Sequence, residues 1–332
     1  MHGHTVRAPR ERGCSAEPAW ARRLLASLLL ALSGCSIAVR AAELDTLAQM
    51  THPPLAEVSG IAHSSTYPDA FWVHNDSGDE ARLFAVRADG SVVVPPYLSD
   101  AFAANGANAG KPGWPGITVL GASNVDWEDL VLADGLLYIA DMGNNGNARR
   151  DLGVYIVPEP NPAATERVRA LRFLPVRYPE QVGYPGNRWH FDCEALFVDA
   201  GKLYFLTKHR RAGAITGFER GTQLYRLDTQ HTTQVNDLQR VSSNEALMLP
   251  TAAALSPDGN TLAVLTYQRV WLFPRPPSGD DWLAGVPRVF DLPVLRTGIA
   301  EGLTWQDAGT LVIASENRAL FRLPVAAVRD AP

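Results

Sequence analysis

Five times along the chain a short stretch bearing an apolar residue is followed by a second, strongly apolar stretch and then by a third carrying one aromatic residue. The first stretches are Ser59-Gly60-Ile61, Glu128-Asp129-Leu130, Glu194-Ala195-Leu196, Ala253-Ala254-Leu255 and Glu301-Gly302-Leu303. The second are Phe71-Trp72-Val73, Leu137-Tyr138-Ile139, Leu203-Tyr204-Phe205, Leu262-Ala263-Val264 and Leu311-Val312-Ile313. Four of the joints hold Asp and Gly (Ala133-Asp134-Gly135, Asp199-Ala200-Gly201, Pro257-Asp258-Gly259, Asp307-Ala308-Gly309), which tolerate the positive φ of tight hairpin turns. The third stretch places Phe84, Tyr155, Tyr225, Trp271 and Phe321 at one repeated position.

From the apolar residue of the first stretch (Ile61, Leu130, Leu196, Leu255, Leu303) to the polar residue ending the second (Asn75, Asp141, Thr207, Thr266, Ser315), the spacings are 14, 11, 11, 11 and 12. Four-stranded antiparallel units of this length are propeller blades. The chain is therefore expected to be all-β, a single β-propeller over 44–325 with a tail over 326–332. Five blades follow from the five aromatics; six is the alternative, because Val86 to Asp126 is long enough to hold a degenerate blade. Fourth strands are expected at Val92–Val94, Val168–Val176, Leu238–Ser242 and Arg288–Leu292. The last unit has none, so residues Leu44–Thr51 are expected to supply it. The ring then closes with strands from both termini and leaves no exposed edge.

Ser256-Pro257-Asp258-Gly259-Asn260 resembles a turn common in bacterial propeller repeats. Asp126-Trp127-Glu128-Asp129-Leu130, followed by Tyr138-Ile139-Ala140-Asp141-Met142-Gly143-Asn144-Asn145, resembles a group of bacterial secreted and lipoprotein propellers with an Asp-Trp-Glu-Asp-Leu motif. Their relatives include proteins labelled esterase-like phytases and strictosidine-synthase-like hydrolases. The resemblance covers most of 44–325 and implies the fold more than an activity. The motif is intact in the second repeat only; the fourth is read as carrying Thr251 and Ala253 in place of its acids.

In a blade, the loops entering strand one and leaving strand two share a face. Pro95–Val125, Met142–Leu152, Pro179–Phe191 and His209–Gly221 are the long loops expected there, and such loops on a rigid scaffold carry function. That face is acidic near the axis. Glu57, Asp126, Glu128, Asp192, Glu194 and Glu301 open the first strands, and residues two apart share a strand face, so each Asp-x-Glu pair aims both carboxylates inward. Gathered carboxylates repel unless a cation or a proton intervenes. An oxygen-only set suits a hard divalent cation, Ca²⁺ first. The competing reading has these acids capping backbone amides, with Lys208 and water compensating. His74 and His190 are the proton-transfer candidates on the same face. No Gly-x-Ser-x-Gly, His-Glu-x-x-His or phosphate-loop pattern occurs.

The N-terminus belongs to a different category. Arg22-Arg23 precedes an apolar run, Leu24 to Leu32, too short for a span of about 20 residues. Leu32-Ser33-Gly34-Cys35 then resembles the lipobox of bacterial lipoprotein precursors. Residues 1–35 are expected to be a signal peptide, with Cys35 lipidated, 36–43 a linker, and the mature protein held at a membrane, the outer one in a Gram-negative host. A plain secretory signal cut near Ala41-Ala42 is the alternative. Residues 1–35 carry five Arg and two Glu; the rest keeps 25 basic and 33 acidic residues, a net charge of −8. That acidity argues against a nucleic-acid partner. Only Cys193 remains beyond Cys35, so no intramolecular disulfide can form; between Asp192 and Glu194 it is expected to be a buried strand residue.

Two functions fit these residues. One is a binding or scaffold lipoprotein that engages a small molecule or an envelope protein through the acidic face. The other is a divalent-metal-dependent hydrolase of esters, lactones or phosphoesters. For the anchor, Cys35→Ala should leave unprocessed precursor, and mass spectrometry of the wild-type N-terminus should find an acyl group; normal processing of the variant would remove the lipid.

Overall fold

The computed structural model of the chain describes residues 43–104 and 110–330. The expected leader, Cys35 and the linker to residue 42 lie outside the described residues. Strand β1 (Asp45–Gln49) is first in sequence and sits at the outer edge of the last sheet, antiparallel to Ala319–Pro324, with Thr46 opposite Phe321. N-terminal closure of the ring is thus made as the repeats require.

Between these ends run five groups of antiparallel strands. The first is β2 (Val58–His63), β3 (Phe71–Asn75), β4 (Arg82–Val86) and β5 (Ile117–Leu120). Next come β6 (Trp127–Ala133), β7 (Leu136–Asp141) and β8 (Gly153–Pro158); β9 (Arg167–Arg169) then pairs in parallel with β5, and β10 (Arg172–Arg177) returns to β8. The third group is β11 (Trp189–Asp199), β12 (Lys202–Arg211), the short β13 (Ala214–Phe218), β14 (Thr222–Leu227) and β15 (Asn236–Asn244). The fourth is β16 (Pro250–Leu255), β17 (Thr261–Thr266), β18 (Arg269–Pro274) and β19 (Arg288–Asp291), and the last is β20 (Ala300–Asp307), β21 (Thr310–Ser315) and β22 (Ala319–Pro324). The inner strands β2, β6, β11, β16 and β20 neighbour one another in turn, and β20 meets β2. This is the propeller expected from the repeats. All five third-strand aromatics are buried between sheets, and burying each side chain contributes about 1.5–3 kcal/mol.

Several expected details move. The fourth strand of the first group is Ile117–Leu120, not Val92–Val94, where Val92 makes only an isolated bridge to Val86. The expected loop Pro95–Val125 therefore contains β5, and its C-terminal part lies beside the acid end: the Pro115 carbonyl accepts from Arg82, and Asn124 donates to the Asn75 and Asp76 carbonyls. The expected strand Val168–Val176 is split between two sheets at Ala170-Leu171. The expected loop His209–Gly221 is largely a hairpin of β12 and β13. At the C-terminus, Arg329–Asp330 (β23) pairs with β19, and Ala327 and Val328 are buried, so the chain stays on the fold beyond residue 325.

The largest correction is one of register. Val58, Trp127, Cys193, Pro250 and Ala300 pair with Asn75, Asp141, Thr207, Thr266 and Ser315. In the fourth repeat Thr251 therefore stands level with Glu128, and Ala253, rather than Leu255, stands level with Leu130. Immediately after this position every inner strand carries a bulge, and the extra residue is Ser59, Glu128, Glu194, Thr251 or Glu301. A bulge re-aims side chains and lets two successive residues face one side. Next in line come Gly60, Asp129, Ala195, Ala252 and Gly302, four of them small. A Cβ on Gly60 would stand 2.7 Å from His74 Nε2 and from the Leu130 backbone nitrogen. The small residues leave room at the axis for Asp129. Its carboxylate accepts hydrogen bonds from the N–H of Leu196 (2.9 Å) on β11 and of Ala253 (3.2 Å) on β16, besides that of Leu130 (2.9 Å).

Asp129 thus ties three inner strands together. Asp129→Ala should leave the Leu196 and Ala253 amides without an acceptor, each at a cost of about 1–3 kcal/mol, while Asp129→Asn, which keeps an acceptor oxygen, should recover part of the loss. Urea unfolding of the two variants measures this; an Ala variant as stable as the wild type would remove the strand-tying role.

Candidate metal centre

The bulges gather the acids. Asp76, from the loop after β3, brings a carboxylate oxygen within 4.8 Å of those of Asp126 and Glu128, and Glu128 stands within the same distance of Asp192 and Glu194. Donor atoms around one Ca²⁺ lie at most about 5 Å apart, twice its bond length to oxygen, so both trios fit a hard divalent cation. Of the six expected ligands, Asp126, Glu128, Asp192 and Glu194 come together. Glu301 is buried close by, beside the Tyr267 hydroxyl, but joins neither trio. Glu57 is exposed at the mouth and also joins neither. Asp192, expected at the rim, is instead fully buried. Asp76 was not among the expected ligands, because it lies outside the repeated strand and within what reads as turn chemistry, Asn75-Asp76-Ser77-Gly78.

The two trios differ in their neighbours. Asp192 accepts from Arg210 Nε at 2.7 Å and from the Asn144 N–H at 2.6 Å. Glu194 pairs with Lys208 Nζ at 2.6 Å and lies 3.5 Å from Arg210. Lys208 thus compensates as expected, and Arg210 is a second cation, hidden at the start of the expected loop His209–Gly221. By contrast, no side-chain cation reaches Asp76, Asp126 or Glu128 within ion-pair distance among the described residues. Among the described residues, Asp76 accepts only the Ser77 amide (2.6 Å), Asp126 only Asn145 Nδ2 (3.3 Å), and the Glu128 carboxylate has no hydrogen-bond donor. The backbone above is drawn in tightly: a Cβ on Gly143 would fall 2.1 Å from Glu128 Oε1 and 2.3 Å from Asp126 Oδ2. Glycine in Asp141-Met142-Gly143-Asn144-Asn145 is therefore required by the carboxylates it covers. Arg149 clamps that loop, reaching Asp141 at 3.0 Å and the Gly143 carbonyl at 2.9 Å.

Burial without compensation raises the acids. It pushes Asp126 up to about 7, helped by Asp76 and Asp192, and Glu301 up to about 8 against the pull of Lys208. Burial likewise drives Glu128 and Glu194 well above the carboxylate range; Glu194 adds to the shift of Glu128, while Lys208 opposes that of Glu194. For Lys208 itself burial disfavours the charge, but Glu194, Tyr267, Asp192 and Glu128 together outweigh it and the ammonium is held protonated.

The histidines lie apart from this set. His74 is fully buried edge-on to Trp127, with Nδ1 2.9 Å from the Asn75 carbonyl and Nε2 unpartnered; burial lowers it to about 4. His190 Nε2 is 2.8 Å from Glu219, and its ring stacks on His209 at 3.9 Å. Cys193 is buried in β11 as expected, its thiol pushed up by burial. A cavity of about 710 Å³ opens at the other end of the axis and is lined mainly by Ile61, Leu130, Ala253, Leu303 and Trp305. His63 and Asp307 are the ionisable groups in its lining.

No protein-family model matches the chain, and no curated protein matches its sequence. Among solved structures it is similar to the PQQ-bound aldose sugar dehydrogenase of Streptomyces coelicolor, with 11% identity, 85% of this chain and 98% of that one covered, and a TM-score of 0.45. It is also similar to the gluconolactonase XC5397 of Xanthomonas campestris, with 15% identity, 87% and 93% covered, and a TM-score of 0.43. The WD40 domain of Neurospora crassa Pan2 gives 9%, 86% and 96%, and 0.41. At these identities and scores no activity passes from them to this chain, and the fold stands on its own strand pairings.

A carboxyl whose pKa is raised on folding binds its proton more tightly in the folded state, so its contribution to stability is present at low pH and is lost as pH rises. In chelator, the melting temperature should therefore fall as pH climbs from the unfolded values near 4 through about 7 to 8, the range set by Asp126 and Glu301. Thermal melts from pH 5 to 8.5 test this, and a flat profile would mean that the acids are compensated in a way these contacts do not provide.

Proposed function

We propose that the protein is a divalent-cation-dependent hydrolase of esters, lactones or phosphoesters, working at the acid end of the propeller axis. One observation carries this reading: Asp76, Asp126 and Glu128 form an oxygen-only trio without a side-chain cation, while the adjoining Asp192 and Glu194 are neutralised by Arg210 and Lys208. A Ca²⁺- or Mg²⁺-like ion held there would polarise a bound carbonyl or phosphoryl oxygen and acidify a water. Lys208 and Arg210 stay committed to Glu194 and Asp192 and keep that side of the chamber neutral. Glu301, carrying a proton near neutral pH beside Tyr267, would hand it to a leaving oxygen, the role first sought in His74 or His190.

A second reading keeps the cation and drops the turnover. It is favoured by the histidines: His74 is walled off behind Trp127, and His190 is engaged by Glu219. In that case the same mouth binds a small molecule or an envelope protein.

Cation binding is tested first. A hundredfold excess over the dissociation constant stabilises the folded form by about 2.7 kcal/mol, a rise of several degrees in melting temperature. Ca²⁺ or Mn²⁺ should produce it, and Glu128→Gln should abolish it. With a panel of ester, lactone and phosphoester substrates, Glu128→Gln should cut turnover by at least the ~10–100-fold loss that follows removal of a metal's supporting partner. Glu301→Gln should keep the thermal shift and lose the turnover. A thermal shift with no turnover on any substrate would leave the binding reading; no shift would end both.

A further inference from the structure

The residue just before the paired position in each inner strand lies at the acid end of the axis: Glu57, Asp126, the buried Asp192, Leu249 and Ile299. The backbone supports this alignment. The Glu57, Leu249 and Ile299 carbonyls accept from the amides of Asp76, Tyr267 and Glu316, each the residue just beyond strand two of its own group, at 2.8, 3.3 and 3.0 Å. The ring at the mouth therefore has two halves. Two groups present acids at the mouth, the third buries its Asp192 against Arg210, and the last two present aliphatic side chains, with Glu316 half-buried next to Ile299.

The apolar half is extended by its surroundings. Ile299 is 41% exposed and Met248, beside Leu249, is 39% exposed. The Phe218 ring of the β13 hairpin stands edge-on to Tyr267 at 6.5 Å. Ile215, near the tip of the same hairpin, is 53% exposed. These side chains stand in water beside the most polar part of the molecule.

Leu249 adds a separate signal. Its φ is +58°, and it is not a glycine. A branched aliphatic residue in the left-handed region costs on the order of 1 kcal/mol or more, whereas Gly or Asn would sit there with little strain. Strain of this kind persists where the side chain is needed.

We propose that the molecule taken at this mouth is amphiphilic. An oxygen-rich head, an ester, carboxylate or phosphate group, sits on the cation held by Asp76, Asp126 and Glu128, and an aliphatic or aryl tail lies along Leu249, Ile299 and the Tyr267–Phe218 pair. The inference rests on the cation reading above and adds the substrate class. Charge alone would accept small polar esters or inorganic phosphate; the apolar half-ring adds affinity only for a ligand whose tail covers it and takes that surface out of water.

The test uses methyl- to hexylphosphonate, which carry the head group and cannot be hydrolysed, titrated calorimetrically into the Mn²⁺-loaded protein. A methylene fully buried gains up to about fourfold in affinity and one on a half-exposed rim about twofold. Hexylphosphonate should therefore bind about thirtyfold tighter than methylphosphonate. Leu249→Asn combined with Ile299→Ser should shrink that ratio below about fivefold and leave methylphosphonate affinity unchanged. Leu249→Asn alone should melt no lower than the wild type, since Asn accepts the left-handed backbone, so a lost ratio cannot be blamed on misfolding. If Mn²⁺ binds but affinity does not depend on tail length, or no phosphonate binds, the amphiphile is overturned and the cation site stands. If Mn²⁺ does not bind, the cation reading falls first and takes the inference with it.

Discussion

The extra residue in each inner strand is the constraint on which the rest of the molecule depends. Five strands converge on an axis, and strict alternation would give each one side chain in two at the centre. The bulge breaks that alternation at one level of all five strands. It turns Glu128, Glu194 and Glu301 toward the mouth and lets the very next residue, Asp129, also face inward. Asp129 then spends its carboxylate on amides of β6, β11 and β16. The same irregularity thus builds the acid chamber and the strut beneath it.

Below Asp129 the axis widens into an apolar funnel; above it, carboxyl groups crowd together. The separation follows from which residues fall on either side of the bulge: β6, β11 and β20 bring acids to it, and just beyond it stand Ile61, Leu130, Leu196, Ala253 and Leu303. Two buried cations, Lys208 and Arg210, serve one side of the chamber. Removing either would strand a buried carboxylate, so they are part of the wall rather than free to meet an anion. The uncompensated side, Asp76, Asp126 and Glu128, is where a proton or a metal has to make up the charge. Gly143 lies so close over these oxygens that no side chain of its own could enter.

The asymmetry around the ring carries the functional argument. Had all five repeats kept an acid at the mouth, the chamber would be a symmetric cation sink. Leu249 and Ile299 replace it in two repeats, and Leu249 does so in a backbone conformation that its side chain resists. A polar head and an apolar tail can therefore be told apart at one opening.

Much of this was legible in the residues themselves. The repeat, the aromatic third strands, the closing strand at 44–51, the acid pairs at 126/128 and 192/194 and the compensating Lys208 all follow from periodicity, because a strand's side chains obey a period of two wherever its ladder is regular. The ladder fails at the bulge, and there the reading failed with it. Asp129 should have pointed outward by alternation; it points inward. The fourth repeat, lacking an acid to mark its phase, was aligned on Leu255, and only its pairing with Thr261–Thr266 puts Leu249 level with Asp126. Asp76 stands just beyond strand two, level with Tyr267 and Glu316 but inside a turn signature, Arg210 comes from the end of an overlong strand, and the fourth strand at Ile117–Leu120 is set by pairing across the 30 residues that separate it from β4. Local pattern determined which segments are strands and which face of each is apolar; distant pairing decided which carboxylates share one axis, because charge and hydrogen-bond partners drawn from different repeats meet only when the ring closes.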